Sequence, residues 1–218
     1  MIIFDCNGVL VDSESIAAEV AAHEFARVGI RMTPAIVARF FTGRRPADMI
    51  ADVEKASGRR LPHDFGRRLA DATLHRLRAV VRATPHAEYA LSWLRGPKCV
   101  ASSSPRERMR VSLETTELIR FFEPNLFSAS DVRNGKPAPD LFLHAAARMR
   151  VSPSECIVVE DSPAGVTAAV AAGMTPIGFL SATAALTNHA DQLTAAGARA
   201  LIADMRALKS TVASIRGW

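Results

Sequence analysis

Short apolar runs recur along the chain, separated by longer stretches in which apolar positions fall three and four residues apart. The runs are Met1–Asp5, Lys98–Ser102, Cys156–Glu160 and Pro176–Phe179, with weaker ones at Asn125–Ser128 and Ala200–Ile202. Helical periodicity lies between them, as in Ser104–Glu114, Pro139–Met149 and Pro163–Ala172. Alternation of this kind predicts an α/β fold of the Rossmann-like type, a parallel sheet flanked by helices and joined by right-handed crossovers. One stretch departs from it. From Glu14 to Val81 the pattern is helical throughout, with no convincing strand. Ser13 is expected to cap the first of these helices, with Glu14 in its first turn. Gly29 should end that helix and Thr33-Pro34 should begin the next. Thr84-Pro85 then returns the chain to the sheet. Residues 1–13 and 82–218 are therefore expected to form the core, and residues 14–81 an inserted helical unit.

The 218 residues are enough to bury a sizeable core. Hydrophobic residues make up 49% and charged residues 22%, as in ordinary globular proteins. No run approaches the roughly 18 apolar residues of a membrane span. No basic-then-apolar leader opens the chain, so a cytoplasmic location and no membrane partner are expected. The net charge is +5, but the basic residues are nearly all arginines, scattered and with few aromatics among them. That distribution argues against nucleic acid as a partner. Cys6, Cys99 and Cys156 lack metal-ligand spacing and read as buried, reduced thiols. Cys6 should point into the core, away from its neighbours Asp5 and Asn7. A monomer is expected.

The chemistry sits at the ends of the predicted strands. A carboxylate at the lip of a buried strand is costly unless something there uses its charge. Asp5 ends the first run, Ser102 the second and Glu160-Asp161 the third, while Lys136 lies in a Pro-rich connection. Open parallel sheets bind ligands at the carboxyl ends of their strands, so these residues should meet in one crevice.

Four segments, correctly ordered, carry a resemblance. Met1–Glu14 (MIIFDCNGVLVDSE) resembles the D-x-D-G-V-x-x-D-S-E motif of the haloacid dehalogenase superfamily. The strand ending in Ser102-Ser103-Ser104 is similar to its second motif, Lys136-Pro137-Ala138-Pro139-Asp140 to its third, and Glu160-Asp161-Ser162 with Gly165 to its fourth. The likeness spans nearly the whole chain and lies nearest the β-phosphoglucomutase and phosphoglycolate phosphatase branch. It implies that the helical insertion is a cap. It implies Asp5 as nucleophile, forming an aspartyl-phosphate. Mg2+ is the implied cofactor, bound by Asp5, Asp161 and the backbone carbonyl of Asn7, with Glu160 beside the metal or holding Lys136. Lys136 would meet a phosphoryl oxygen and screen Asp5. Ser102, with the backbone amides of Ser103 and Gly8, would donate to the phosphoryl group, and Gly8 would permit a tight turn. Phe41-Thr42-Gly43-Arg44-Arg45-Pro46 is similar to the cap loop that faces the site, where Arg44 or Arg45 could hold a second anionic group. Where β-phosphoglucomutases carry a cap histidine, this chain has Ala17-Ala18. His86 reads as structural. Asp12 is open between orienting the site and starting the first cap helix.

The departure is Asn7. The family's phosphatases have a second Asp there, which protonates the leaving alkoxide and later activates water. An amide has no proton to give or take at ordinary pH, and losing such help costs about 10²–10⁴-fold. The expected function is Mg2+-dependent hydrolysis of a small phosphomonoester such as a sugar phosphate, impaired at this step. The alternatives are a β-phosphoglucomutase-like mutase and a non-catalytic protein that binds phosphorylated metabolites. Asn7-Gly8 is also a deamidation-prone pair, and partial conversion would regenerate the Asp.

Overall fold

A computed structural model describes residues 1–41, 45–180 and 188–217. Its strands are β1 (Ile2–Phe4), β2 (Val11–Asp12), β3 (Arg82–Ala83), β4 (Lys98–Ser102), β5 (Leu126–Ser128), β6 (Ile157–Glu160), β7 (Thr175–Phe179) and β8 (Ala200–Ile202). Its helices are α1 (Glu14–Arg27), α2 (Pro34–Phe41), α3 (Pro46–Ser57), α4 (Phe65–Val80), α5 (Ala87–Trp93), α6 (Arg106–Thr115), α7 (Asp140–Met149), α8 (Pro163–Ala171), α9 (His189–Ala195) and α10 (Leu208–Arg216).

Six strands form a parallel sheet in the order β5-β4-β1-β6-β7-β8. Alternate residues of the apolar runs serve opposite faces, as the period of two requires. Phe4, Val100 and Val159 join a cluster with α5, α6 and α10, while Ile3, Cys99 and Val158 join one with α7 and α8. With both faces covered, these strands read as continuous apolar runs. The chain builds outward from β1 through β4 and β5, then crosses to β6 and builds outward the other way. The carboxyl ends of β1, β4 and β6 are thereby adjacent, at the point where such sheets bind ligands.

The helical insertion has a core of its own, centred on Phe25, Phe65, Val37 and Leu69. Its Phe25 and Phe65 rings lie 4.8 Å apart. Helix α4 packs against α6 of the sheet layer, which seats the insertion beside the carboxyl edge. Strands β2 and β3 pair antiparallel, Val11 opposite Ala83 and Asp12 opposite Arg82, and so tie together the segments that lead into and out of the insertion. Asp12 is exposed in this ribbon. Ser13 does not cap α1; its hydroxyl is used elsewhere.

Candidate active site

Asp5 follows β1 directly, and its backbone N–H donates to Val159 O (2.9 Å), which fixes it against β6. Lys136 Nζ reaches in from the connection before α7. It donates to Asp5 Oδ1 (2.6 Å), to the Ala101 carbonyl oxygen (3.2 Å) and to Glu160 Oε1. Its side chain is only 3% exposed, and the ammonium also lies 5.0 Å from the Phe142 ring centroid. Burial alone would pull this ammonium's pKa down, but the charges of Asp5 and Glu160, with hydrogen bonds to both, hold it above the usual lysine range. Lys136 therefore stays cationic. Glu160 gives its other oxygen to Ser162, accepting from the backbone N–H (3.2 Å) and the hydroxyl (2.9 Å). Of the two roles open for Glu160, its hydrogen bonds show the contact with Lys136. Gly165 closes over it, since a Cβ there would lie 2.0 Å from the Glu160 carboxyl carbon.

Asp161 is placed differently. Its carboxylate rests on the turn at Gly8, where a Cβ would lie 1.9 Å from Asp161 Oδ2. Among the described residues no hydrogen bond or ion pair reaches this carboxylate. Burial, then the charges of Glu160 and Asp5, hold its pKa well above the usual carboxylate range. His189 Nε2 donates to the Asp161 backbone carbonyl oxygen (2.8 Å) and fixes the main chain there. A carboxylate beside other carboxylates and without a cationic partner suits a hard divalent cation. No three His, Cys, Asp or Glu side chains among the described residues converge on one point. Magnesium does not need them, because it takes one or two carboxylates and keeps several waters. Asp161, the second oxygen of Asp5 and the backbone carbonyl of Asn7 fit that demand.

Gly8 makes the expected turn, but its amide is committed within the chain. Its N–H donates to Val11 O (2.9 Å), so it is not offered to a ligand. What Gly8 contributes is a backbone at φ +74° and room for Asp161.

Residues 1–173 match the sequence profile of the haloacid dehalogenase-like hydrolases. The chain belongs to this family. It is 34% identical over 174 residues to the 6-phosphogluconate phosphatase of Escherichia coli, covering 79% of each chain. It is 33% identical over 180 residues to the validoxylamine A 7'-phosphate phosphatase of Streptomyces hygroscopicus subsp. limoneus, covering 81% of this chain and 84% of the other. A solved haloacid dehalogenase-like protein of unknown function from Agrobacterium tumefaciens superposes with a TM-score of 0.83 at 37% identity, over 99% of this chain and 98% of that one.

In this hydrolase Asn7 is clamped. Its Nδ2 donates to Ser104 Oγ (2.7 Å), and its Oδ1 accepts from the buried hydroxyl of Ser13 (2.8 Å). Ser104 is itself held, its carbonyl accepting from Ser128 Oγ (2.8 Å) and its N–H donating weakly to Ser102 Oγ (3.4 Å). Two spaces open around Asn7. The smaller, with about 270 Å³ of empty space, is lined by Asp5, Asn7, Glu14, Ser102, Ser103, Lys136, Asp161 and Ser162. The larger, about 630 Å³, runs under the insertion between α1, α2 and α4 and the start of α6. Asn7, Glu14 and Ser103 line both.

Arg44 lies outside the described residues. Arg45 is exposed and forks onto Asp48 (2.8 and 3.1 Å), with its stem against Gly135; it lines neither space. Sequence reasoning missed Ser13, Ser104, Glu14 and Arg108. Serines in motif loops give no sign of which partner they choose. Arg108, a cation in the first turn of a helix, is disfavoured by the helix dipole, and that was a usable sign.

Proposed function

We propose that this chain is a magnesium-dependent phosphatase for small phosphomonoesters, sugar phosphates in particular, with Asp5 as nucleophile. The observation that carries this reading is Asp5 at the central strand's carboxyl end, with Lys136 on one oxygen and the small crevice before it. The phosphatase names of the Escherichia coli and Streptomyces relatives support it. A carboxylate oxygen of Asp5 attacks phosphorus, and the bond from phosphorus to the alcohol oxygen breaks, leaving an aspartyl-phosphate. Water then attacks phosphorus, releasing phosphate and restoring Asp5. Lys136 offsets charge on the phosphoryl oxygens, and the Ser102 hydroxyl donates to one of them. Magnesium, held by Asp5, Asp161 and the Asn7 carbonyl, would supply further neutralisation of that charge.

Asn7 stands where a proton must reach the leaving oxygen, and it cannot donate one at useful pH. Turnover is therefore slow for alkoxide leaving groups and less affected for those that depart as stable anions. The test compares this chain with Asn7→Asp on p-nitrophenyl phosphate and a sugar-phosphate panel, with and without magnesium. Asn7→Asp should gain about 10²–10⁴-fold on alkyl phosphates and far less on p-nitrophenyl phosphate, which needs no proton to leave. A second reading, a phosphometabolite-binding protein without turnover, is favoured by one feature: the Asn7 amide is satisfied at both ends. Inactivity of both proteins across the panel, with magnesium bound, would establish that reading instead.

A further inference from the structure

Arg108 sits in the first turn of α6, in the wall of the larger cavity. Its side chain is 16% exposed, and its Nε and Nη2 are buried without a hydrogen-bond partner. The carboxylate oxygen paired with it, Glu14 Oε1, is 3.9 Å from Nη2, too far for a hydrogen bond. Nε and Nη2 form one edge of the guanidinium, the edge that grips a carboxylate or phosphate through two parallel hydrogen bonds. A buried donor left unmade is expensive, more so when charged, and the helix dipole disfavours a cation at this end. The cost is offset when an anion fills the fork. The cavity joins the phosphoryl crevice through Asn7, Glu14 and Ser103, and its other walls are largely apolar, including Ala17, Val37 and Leu69. A phosphomonoester with its phosphoryl group at Asp5 would extend its alcohol part into this cavity.

We propose that Arg108 is a specificity-determining residue: its fork binds a second anionic group on the alcohol part of the substrate, so that the protein selects phosphomonoesters whose alcohol part is itself anionic over those whose alcohol part is an uncharged polyol. The inference rests on the phosphatase reading for the placement of the phosphoryl group. It gives a second-anion role to a residue of the sheet layer, apart from the cap-loop arginines.

The test uses three ligands: 6-phosphogluconate, fructose 1,6-bisphosphate and glucitol 6-phosphate, the first and last differing only in a carboxylate against a hydroxymethyl group. Specificity constants with magnesium, and affinities by calorimetry without it, are measured for this chain, Arg108→Gln and Arg108→Lys. This chain should favour at least one of the two ligands with a second anionic group over glucitol 6-phosphate by about 10- to 100-fold, the worth of a charge-assisted bidentate contact. In Arg108→Gln the ratio should fall towards one, and Arg108→Lys should recover only part of it. A gluconate preference assigns a carboxylate, and a bisphosphate preference a phosphate. No discrimination in this chain, or a ratio that survives Arg108→Gln, overturns the proposal. Absence of turnover with the affinity ratio intact would defeat the phosphatase reading while leaving Arg108's role standing.

Discussion

At the scale of single residues, the site is decided by who holds whom. Asn7 keeps both ends of its amide in hydrogen bonds, and the Gly8 N–H is committed to Val11 O. Deamidation needs that nitrogen to attack the Asn7 side-chain carbon, so the native fold should protect a pair that is labile in a free chain. Peptide mass spectrometry of aged native protein should show no one-dalton gain at Asn7, and the gain should appear on prolonged incubation unfolded; equal rates would refute the clamp. Gly8→Ala should displace Asp161 and strain the backbone, since a Cβ would meet Asp161 Oδ2 at 1.9 Å at a φ of +74°. The conformational cost alone is about 1–2 kcal/mol. Magnesium titration should show weakened binding together with a lower urea midpoint; unchanged magnesium affinity would argue against Asp161 as a ligand. The three cysteines are buried and free. Burial pushes the Cys99 thiol up to about 12 and raises those of Cys6 and Cys156. A thiol-reactive disulfide reagent should label none of them in native protein and all three after denaturation.

At the scale of elements, the continuous apolar runs gave away the six-stranded sheet, because strands buried on both faces need little else to be recognised. The β2–β3 ribbon went unseen because two residues per strand carry no period. Thr33 and Ser162 both serve as helix starts: Thr33 Oγ1 accepts from Ile36 N (3.3 Å), and Ser162 Oγ accepts from Gly165 N (3.0 Å). Ser13 had the same credentials and serves Asn7 instead, because that amide lies within its reach. Ser162 also donates to Glu160, so it links the cap of α8 to the seat of Lys136. Ser162→Ala should cost about 1 kcal/mol as a lost cap and should also lower kcat by loosening Lys136. Equilibrium urea unfolding and steady-state kinetics read the two effects separately, and a stability loss without a kinetic one would make Ser162 a cap only.

At the scale of the whole molecule, folding gathers Lys136, Glu160 and Asp161 around Asp5, with Asp5 and Lys136 131 positions apart in the chain. Among the described residues no helix is long and apolar enough to cross a membrane. The gathered charge has a thermodynamic signature. The raised pKa of Asp161 means that its protonated form is favoured in the folded, metal-free protein. Its stabilising contribution is full below the unfolded carboxylate pKa of about 3.9 and is lost as pH rises through the higher folded value. Magnesium requires the ionised form, so the rise in Tm on adding magnesium should grow from acid towards neutral pH. Thermal melts with and without magnesium across that range provide the check; a pH-independent shift would exclude Asp161 from the metal's ligands. The sequence by itself determined the sheet, the helical insertion and the residues at the strand ends, because strand period, burial and strand-end chemistry are local patterns, and its four ordered motifs carried the resemblance to the family. Tertiary structure alone decided that Glu160 serves Lys136, that Gly8 makes room rather than donates, that Asn7 is clamped by Ser13 and Ser104, and that Arg108 lines the cavity beside Glu14. Those choices depend on distances between residues far apart in the chain, which no local pattern encodes.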